Sequence, residues 1–183
     1  MNVQIHAYLP HSRANGPGLR AVVWFQGCTL ACPGCFNPAA QPLDGGEAWE
    51  TRVLSAKIAA LNDIEGVTFS GGEPLQQPEA LLGLSRSAQQ LDLGVVVFSG
   101  YTLNAIRKQP LGPAILKHID TLIAGPYDAG RRNPRGLIAS SNQQVHHLSP
   151  RYASIDFSAL PSREAIIQPD GSTILTGINP PKV

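Results

Sequence analysis

An α/β fold with a largely parallel sheet is what the hydrophobic pattern of this chain predicts. Two observations carry that reading. Apolar runs of strand length alternate with amphipathic stretches of helical period, as in βαβ units. The strand runs are continuously apolar, as strands covered on both faces are. A third observation concerns position. Each cysteine- or glycine-bearing motif follows directly on a predicted strand, and in parallel sheets sites form at the carboxyl ends of strands.

The elements follow in order. LRAVVWF at 19–25, after the turn-like NGPG at 15–18, reads as a buried strand leading into the cysteines, with Trp24 and Phe25 in the core. Residues 47–62 read as one helix, with Val53, Leu54, Ile58 and Leu61 buried and Trp49 near its start. GVTF at 66–69 is a second strand, running into SGGEP. The next helix, 78–91, has proline in its first turn and buries Leu81, Leu84, Ala88 and Leu91. LGVVVFSGY at 93–101 is a third strand, followed by short helices near 102–108 and 112–118. IDTLIAG at 119–125 is a fourth strand and QQVHHL at 143–148 a fifth. Near the end, PDGS between two β-rich runs is a hairpin signal. The expected organisation is one domain over 1–149 and an extension over 150–183 that packs on it and ends in a β-hairpin.

Bulk properties narrow the function classes. With 183 residues the chain can bury one sizeable core. Fourteen basic residues against thirteen acidic ones produce no field that would draw in nucleic acid or anionic membrane. The opening MNVQIHAYLPHS lacks the basic-then-apolar pattern of a signal peptide, and no apolar stretch approaches the ~20 residues of a membrane span. All three cysteines fall within eight residues, an odd cluster suited to metal ligation in a reducing compartment. A cytoplasmic location is therefore expected.

Cys28, Cys32 and Cys35 are spaced C-x3-C-x2-C, with no fourth cysteine. Cubane iron–sulfur clusters are usually held by four thiolates, so three would leave one iron open to a small molecule. Gly27, Pro33 and Gly34 allow the tight turns that bring three sulfurs together. The alternative is zinc, with His6, His11, His146 or His147 as fourth ligand. Ser70-Gly71-Gly72-Glu73-Pro74 forms the second motif. Its glycines let backbone approach a ligand, and Glu73 can accept from a ligand ammonium. A plain strand-to-helix turn with an acid at the helix start is the other reading.

The two motifs together resemble the radical S-adenosylmethionine enzymes. Within them, NGPGLR, CPGCFN and SSNQQVHHL, with VFSGYTL and DTLIAGPYD between, resemble the activating proteins of anaerobic ribonucleotide reductase over roughly residues 5–149. The resemblance implies one [4Fe–4S] cluster on Cys28, Cys32 and Cys35 as the catalytic and metal-binding residues. The unique iron would chelate the methionine end of S-adenosylmethionine. Gly71, Gly72 and Glu73 would line its amino group, Gly34 and Phe36 would border the adenine, and Ser99 and Gly100 would approach the ribose. It further implies reductive cleavage to a 5′-deoxyadenosyl radical, a large glycyl radical enzyme as protein substrate, and a one-electron donor such as flavodoxin or ferredoxin. The chain is short for a closed eight-stranded barrel, which takes ~200 residues or more. An open, partial (β/α) barrel of about five or six units is expected, its open side able to admit a loop of a partner.

Two departures touch target recognition. The family carries Arg-Gly directly before SSNQ. Here Ile138-Ala139 stands there, and the nearest pair is Arg135-Gly136. The chain also runs well past the HHL segment at which shorter family members end. Alternative functions are a radical enzyme acting on a small molecule or peptide, and a non-enzymatic iron–sulfur or zinc protein. His146 and His147 are adjacent in a predicted strand and so face opposite sides. Arg131, Arg132 and Arg135 form a basic loop that is either solvated or a dock for an acidic partner.

Overall fold

A computed structural model describes residues 1–178. Its centre is a seven-stranded mixed sheet of order β3-β1-β2-β4-β5-β6-β7. The strands are β1 (Asn2–Ser12), β2 (Arg20–Phe25), β3 (Glu47–Glu50), β4 (Gly66–Gly71), β5 (Gly94–Ser99), β6 (Thr121–Ala124) and β7 (Gln144–His147). The four central strands β2, β4, β5 and β6 are parallel. β1 and β3 extend the sheet antiparallel on one side and β7 on the other. Among the described residues the edge strands β3 and β7 do not pair, so no closed barrel forms. The five or six βα units expected from sequence reduce to four parallel strands joined by three crossovers.

Four helices, α1 (Thr51–Ala59), α2 (Pro78–Gln90), α3 (Leu103–Arg107) and α4 (Gly112–Leu116), cover one face of the sheet. Leu54, Leu81, Leu84, Ile106 and Ile115 pack there on Val23, Phe25, Phe69, Val95 and Val97. The opposite face carries a second core, in which Val96 and Ile123 meet Leu137, Tyr152, Phe157 and Ile178. Both faces of β5 and β6 are thus covered, which is why these strands read as continuous apolar runs.

Two strands escape the sequence pattern. In β1 the period of two is broken by a register shift between Ile5 and Ala7. Residues 47–50, expected to start the first helix, form β3 instead, because each pairs with one of Asn2–Ile5. Trp49 therefore sits in a strand, half-buried, with the Lys57 ammonium 5.4 Å from its ring. With the helix beginning at Thr51, the buried stripe is Leu54 and Ile58. Val53 is exposed and Leu61 only half-buried. Leu91, placed on the buried side of the second helix, instead follows its last turn and is exposed.

The described part of the extension, residues 150–178, wraps the second face and ends in the expected hairpin of β8 (Glu164–Ile167) and β9 (Thr173–Thr176). Residues 179–183 of the extension lie outside the described residues. The hairpin is tied to the body: the Glu164 carboxylate accepts from Ser12 Oγ at 2.7 Å and Arg13 N at 3.0 Å, and Asn15 Nδ2 donates to Thr176 Oγ1 at 3.0 Å. Tyr152 lies over Arg20, the largest fully buried side chain. That guanidinium donates to Thr68 Oγ1, Val67 O and Gly94 O, so the charge hidden in the predicted apolar strand is satisfied by neighbouring strand starts. No helix among the described residues is long and apolar enough to cross a membrane.

Candidate active site

The site lies at the carboxyl ends of the parallel strands. After β2 the backbone of Gly27 and Cys28 donates to Ala40 O and Gln41 O at 2.8 and 2.9 Å, closing the base of a loop that holds all three cysteines. Within it Cys35 N donates to Cys32 O at 3.1 Å, closing a tight turn. The three cysteines are half-buried and line one cavity with Ser70, Gly71, Gly72 and Glu73 from the end of β4 and Ser99 and Gly100 from the end of β5. Burial pushes the Cys28 thiol above its ordinary value, with the Glu73 carboxylate adding to the effect.

Gly71 and Gly72 serve first to bring strand ends together. Gly71 has φ +108°, and a Cβ on it would lie 2.4 Å from Phe25 N and O. A Cβ on Gly72 would lie 2.3 Å from Gly27 O. The close approach lets Gly72 N and Glu73 N donate to Phe25 O and Gly27 O at 2.8 and 2.9 Å. The second motif is thereby stitched to the cysteine loop, and its backbone also lines the cavity.

Glu73 is fully buried. Its Oε1 accepts from Leu75 N at 2.9 Å and Ser99 Oγ at 3.0 Å, and its Oε2 from Gly100 N at 2.7 Å. The helix-start reading of this acid is therefore correct as far as it goes, since the bond to Leu75 caps a short 3-10 turn. A carboxylate has about four lone-pair positions, and three are filled. The remaining one is on Oε2, in a residue that lines the cavity. Burial raises the Glu73 carboxyl to about 7, against the lowering effect of its three donors. A ligand ammonium would supply the countercharge this group lacks.

The cavity brings together every sequence-predicted site residue except Gly34, which stays in the loop with its backbone against Ala129. Phe36 borders the cavity and packs edge-on against Tyr127, ring centroids 5.4 Å apart. Tyr127, Phe98 and Gln143 are further lining residues. They lie within VFSGYTL, DTLIAGPYD and SSNQQVHHL, so the signal was present without a role attached. Leu30 and Gln41 carried no signal. None of the four histidines considered as zinc ligands lines this cavity. His6 faces Gln26 Oε1, His11 faces Asp63, and His147 faces Thr121 across the β6–β7 pair. Three thiols lining one cavity with glycine backbone and a buried carboxylate are the donor set that a cluster with an amino-acid ligand would need. They do not form a cysteine–histidine zinc site.

The two family departures meet in one place. Leu137 N donates to Phe157 O at 2.9 Å, and a Cβ on Gly136 would lie 2.3 Å from Ser158 O. The displaced Arg135-Gly136 pair thus packs against the extension, while Ala139 fills the cavity wall. Arg131 pairs with Asp128 at 3.3 Å on an exposed loop, and a Cβ on Gly34 of the cysteine loop would lie 3.0 Å from Ala129 Cβ.

A family described as a 4Fe-4S single cluster domain matches residues 14–146. The chain is 32% identical over 156 residues to the anaerobic ribonucleoside-triphosphate reductase-activating protein of Salmonella typhi, covering 80% of this chain and 99% of that one. It is 30% identical over 154 residues to the protein of the same name in Escherichia coli strain K12, covering 78% and 97%. Pyruvate formate-lyase-activating enzyme of Clostridium pasteurianum is 32% identical over 126 residues, covering 66% of this chain and 50% of that enzyme.

Proposed function

Since the chain belongs to the 4Fe-4S single cluster domain family and, within it, to the activating proteins of anaerobic ribonucleoside-triphosphate reductase, we propose that it is a radical S-adenosylmethionine enzyme that installs a glycyl radical on that reductase. The single observation that carries this is one cavity holding three thiols on one side and the Gly71-Gly72-Glu73 cradle on the other. Cys28, Cys32 and Cys35 would hold a [4Fe–4S] cluster, three thiolates for four irons. When bound, the cluster supplies the electron that splits the sulfonium of S-adenosylmethionine into methionine and a 5′-deoxyadenosyl radical.

The protein's part is to bind and aim. Glu73 Oε2 accepts from the substrate ammonium, and the Gly71–Gly72 backbone lines it. Phe36 borders the adenine, and Gly34, at φ +70°, turns the loop that carries it. Ser99 and Gly100 orient Glu73 and border the ribose side of the cavity. Hydrogen-atom transfer from a glycine Cα of the reductase would leave the glycyl radical there and release 5′-deoxyadenosine. The electron comes from a small donor such as flavodoxin or ferredoxin. An acidic surface on that donor would complement the basic segment of Arg131, Arg132 and Arg135. Residues 1–149 form the catalytic unit, and the described part of the extension, 150–178, packs on it. The chemistry requires a reducing compartment, the cytoplasm.

Anaerobic reconstitution tests the reading. The chain should bind about four irons and, with dithionite, S-adenosylmethionine and the reductase, produce 5′-deoxyadenosine together with the doublet electron paramagnetic resonance signal of a glycyl radical. Stoichiometric zinc without charge-transfer absorbance would refute it.

A further inference from the structure

A groove runs beside the cysteine loop, and the C-terminal hairpin forms its outer wall. His6, Ala7 and Trp24 of β1 and β2 line one side, Ile174 and Leu175 of β9 the other, and Phe36 closes one end. Phe36 also lines the cysteine cavity, so groove and cavity meet at that ring. Four consecutive residues of the hairpin, Ile174 to Gly177, border the groove. Successive strand residues point to opposite faces, so what the groove meets is the edge of β9. Among the described residues β9 pairs with β8 alone. An unpaired strand edge is a template for an added strand. The bonds from Glu164 to Ser12 and from Asn15 to Thr176 keep that edge at a set distance from Trp24.

Charge narrows the occupant. Among the described residues no Lys, Arg, Asp or Glu lines the groove. His6 is engaged with Gln26 Oε1 at 3.1 Å, so a phosphate-bearing or carboxylate-bearing ligand would find no fixed countercharge there. An extended segment with small or apolar side chains would meet both an apolar wall and backbone partners. From these observations we infer that the groove seats the glycine-bearing segment of the reductase, uncharged and extended, paired along β9 and delivered past Phe36 to the cysteine cavity. The inference rests on the reading of the chain as an activating protein and assigns the extension a role in holding that protein substrate.

The experiment uses the reconstituted full chain and the anaerobic reductase of the same organism. Ile174→Asp places a charge in the groove, and Ile167→Asp places one on the same hairpin at a side chain that is 77% exposed and outside the groove. Cleavage of S-adenosylmethionine without reductase reports folding and cluster loading, and both variants should match wild type. Ile174→Asp should raise the reductase concentration for half-maximal glycyl radical formation about tenfold or more with the maximal rate kept. Ile167→Asp should stay within about twofold. Equal effects of the two variants, or no effect of Ile174→Asp, overturn the inference. So does dissociation of a dimer of this chain by Ile174→Asp without any change toward the reductase. Wild-type protein that cleaves S-adenosylmethionine but leaves no radical on the reductase overturns the assigned target itself, and this inference with it.

Discussion

Glu73 already holds three donors on its two oxygens, and its burial leaves it near neutral pH. The sign of its contribution follows from the direction of the shift. The folded chain binds this proton more tightly than the unfolded chain does. In the apo protein, stability therefore falls as pH rises from about 4.5 through about 7. The loss attributable to Glu73 is on the order of 3 kcal/mol, from about 1.4 kcal/mol per pKa unit. Urea unfolding of the apo chain at pH 5 and pH 8 should show it, and Glu73→Gln should remove most of that difference. The thiols behave differently, because they are half-exposed and do not hold the core. Cys32→Ala should abolish iron binding and 5′-deoxyadenosine release while moving the apo melting temperature by no more than about 2 °C.

At the scale of elements, the site depends on how the cysteine loop is held against the strand ends. Gln76 follows Glu73 by three residues and reaches into that loop. Its Oε1 accepts from Thr29 N at 3.0 Å, while its Nε2 donates to Thr29 Oγ1 at 2.7 Å and Tyr101 Oη at 3.1 Å. Gln76→Ala should leave the iron content intact but slow 5′-deoxyadenosine release by roughly tenfold, since small misplacements of a reacting group carry large rate penalties. The electron paramagnetic resonance shift produced by S-adenosylmethionine on the reduced cluster should shrink in the same variant, which a purely structural role would not cause. Local spacing made the cysteine loop and the glycine motif legible in the sequence. Gln76 was not legible, since its partners are 47 and 25 residues away. β1 and β3 were not legible either: a bulge interrupts the period of one, and pairing alone makes Glu47–Glu50 a strand. Long-range pairing overrides local propensity where a segment is short.

The whole molecule is a sheet with two differently built faces. Helices cover one, and an irregular extension covers the other. Phe157 is 2% exposed in that second core, so Phe157→Ala should cost about 3–5 kcal/mol, measurable as a lower urea midpoint. The same face joins both sequence departures. The segment Arg135–Ala139 bonds the extension through Leu137 and leaves no room for a side chain at Gly136. The fold class was readable because each central strand is apolar on both faces. The number of parallel units was not, because nothing local in QQVHHL says that this strand runs antiparallel to its neighbour.

The most direct test of the account is anaerobic reconstitution followed by reduction in the presence of S-adenosylmethionine and the partner reductase. Product analysis and electron paramagnetic resonance are then read on the same sample. The account predicts about four irons per chain, 5′-deoxyadenosine, and a glycyl doublet on the reductase that is absent with Cys32→Ala. Iron binding without cleavage, or tight zinc binding in place of iron, would contradict it.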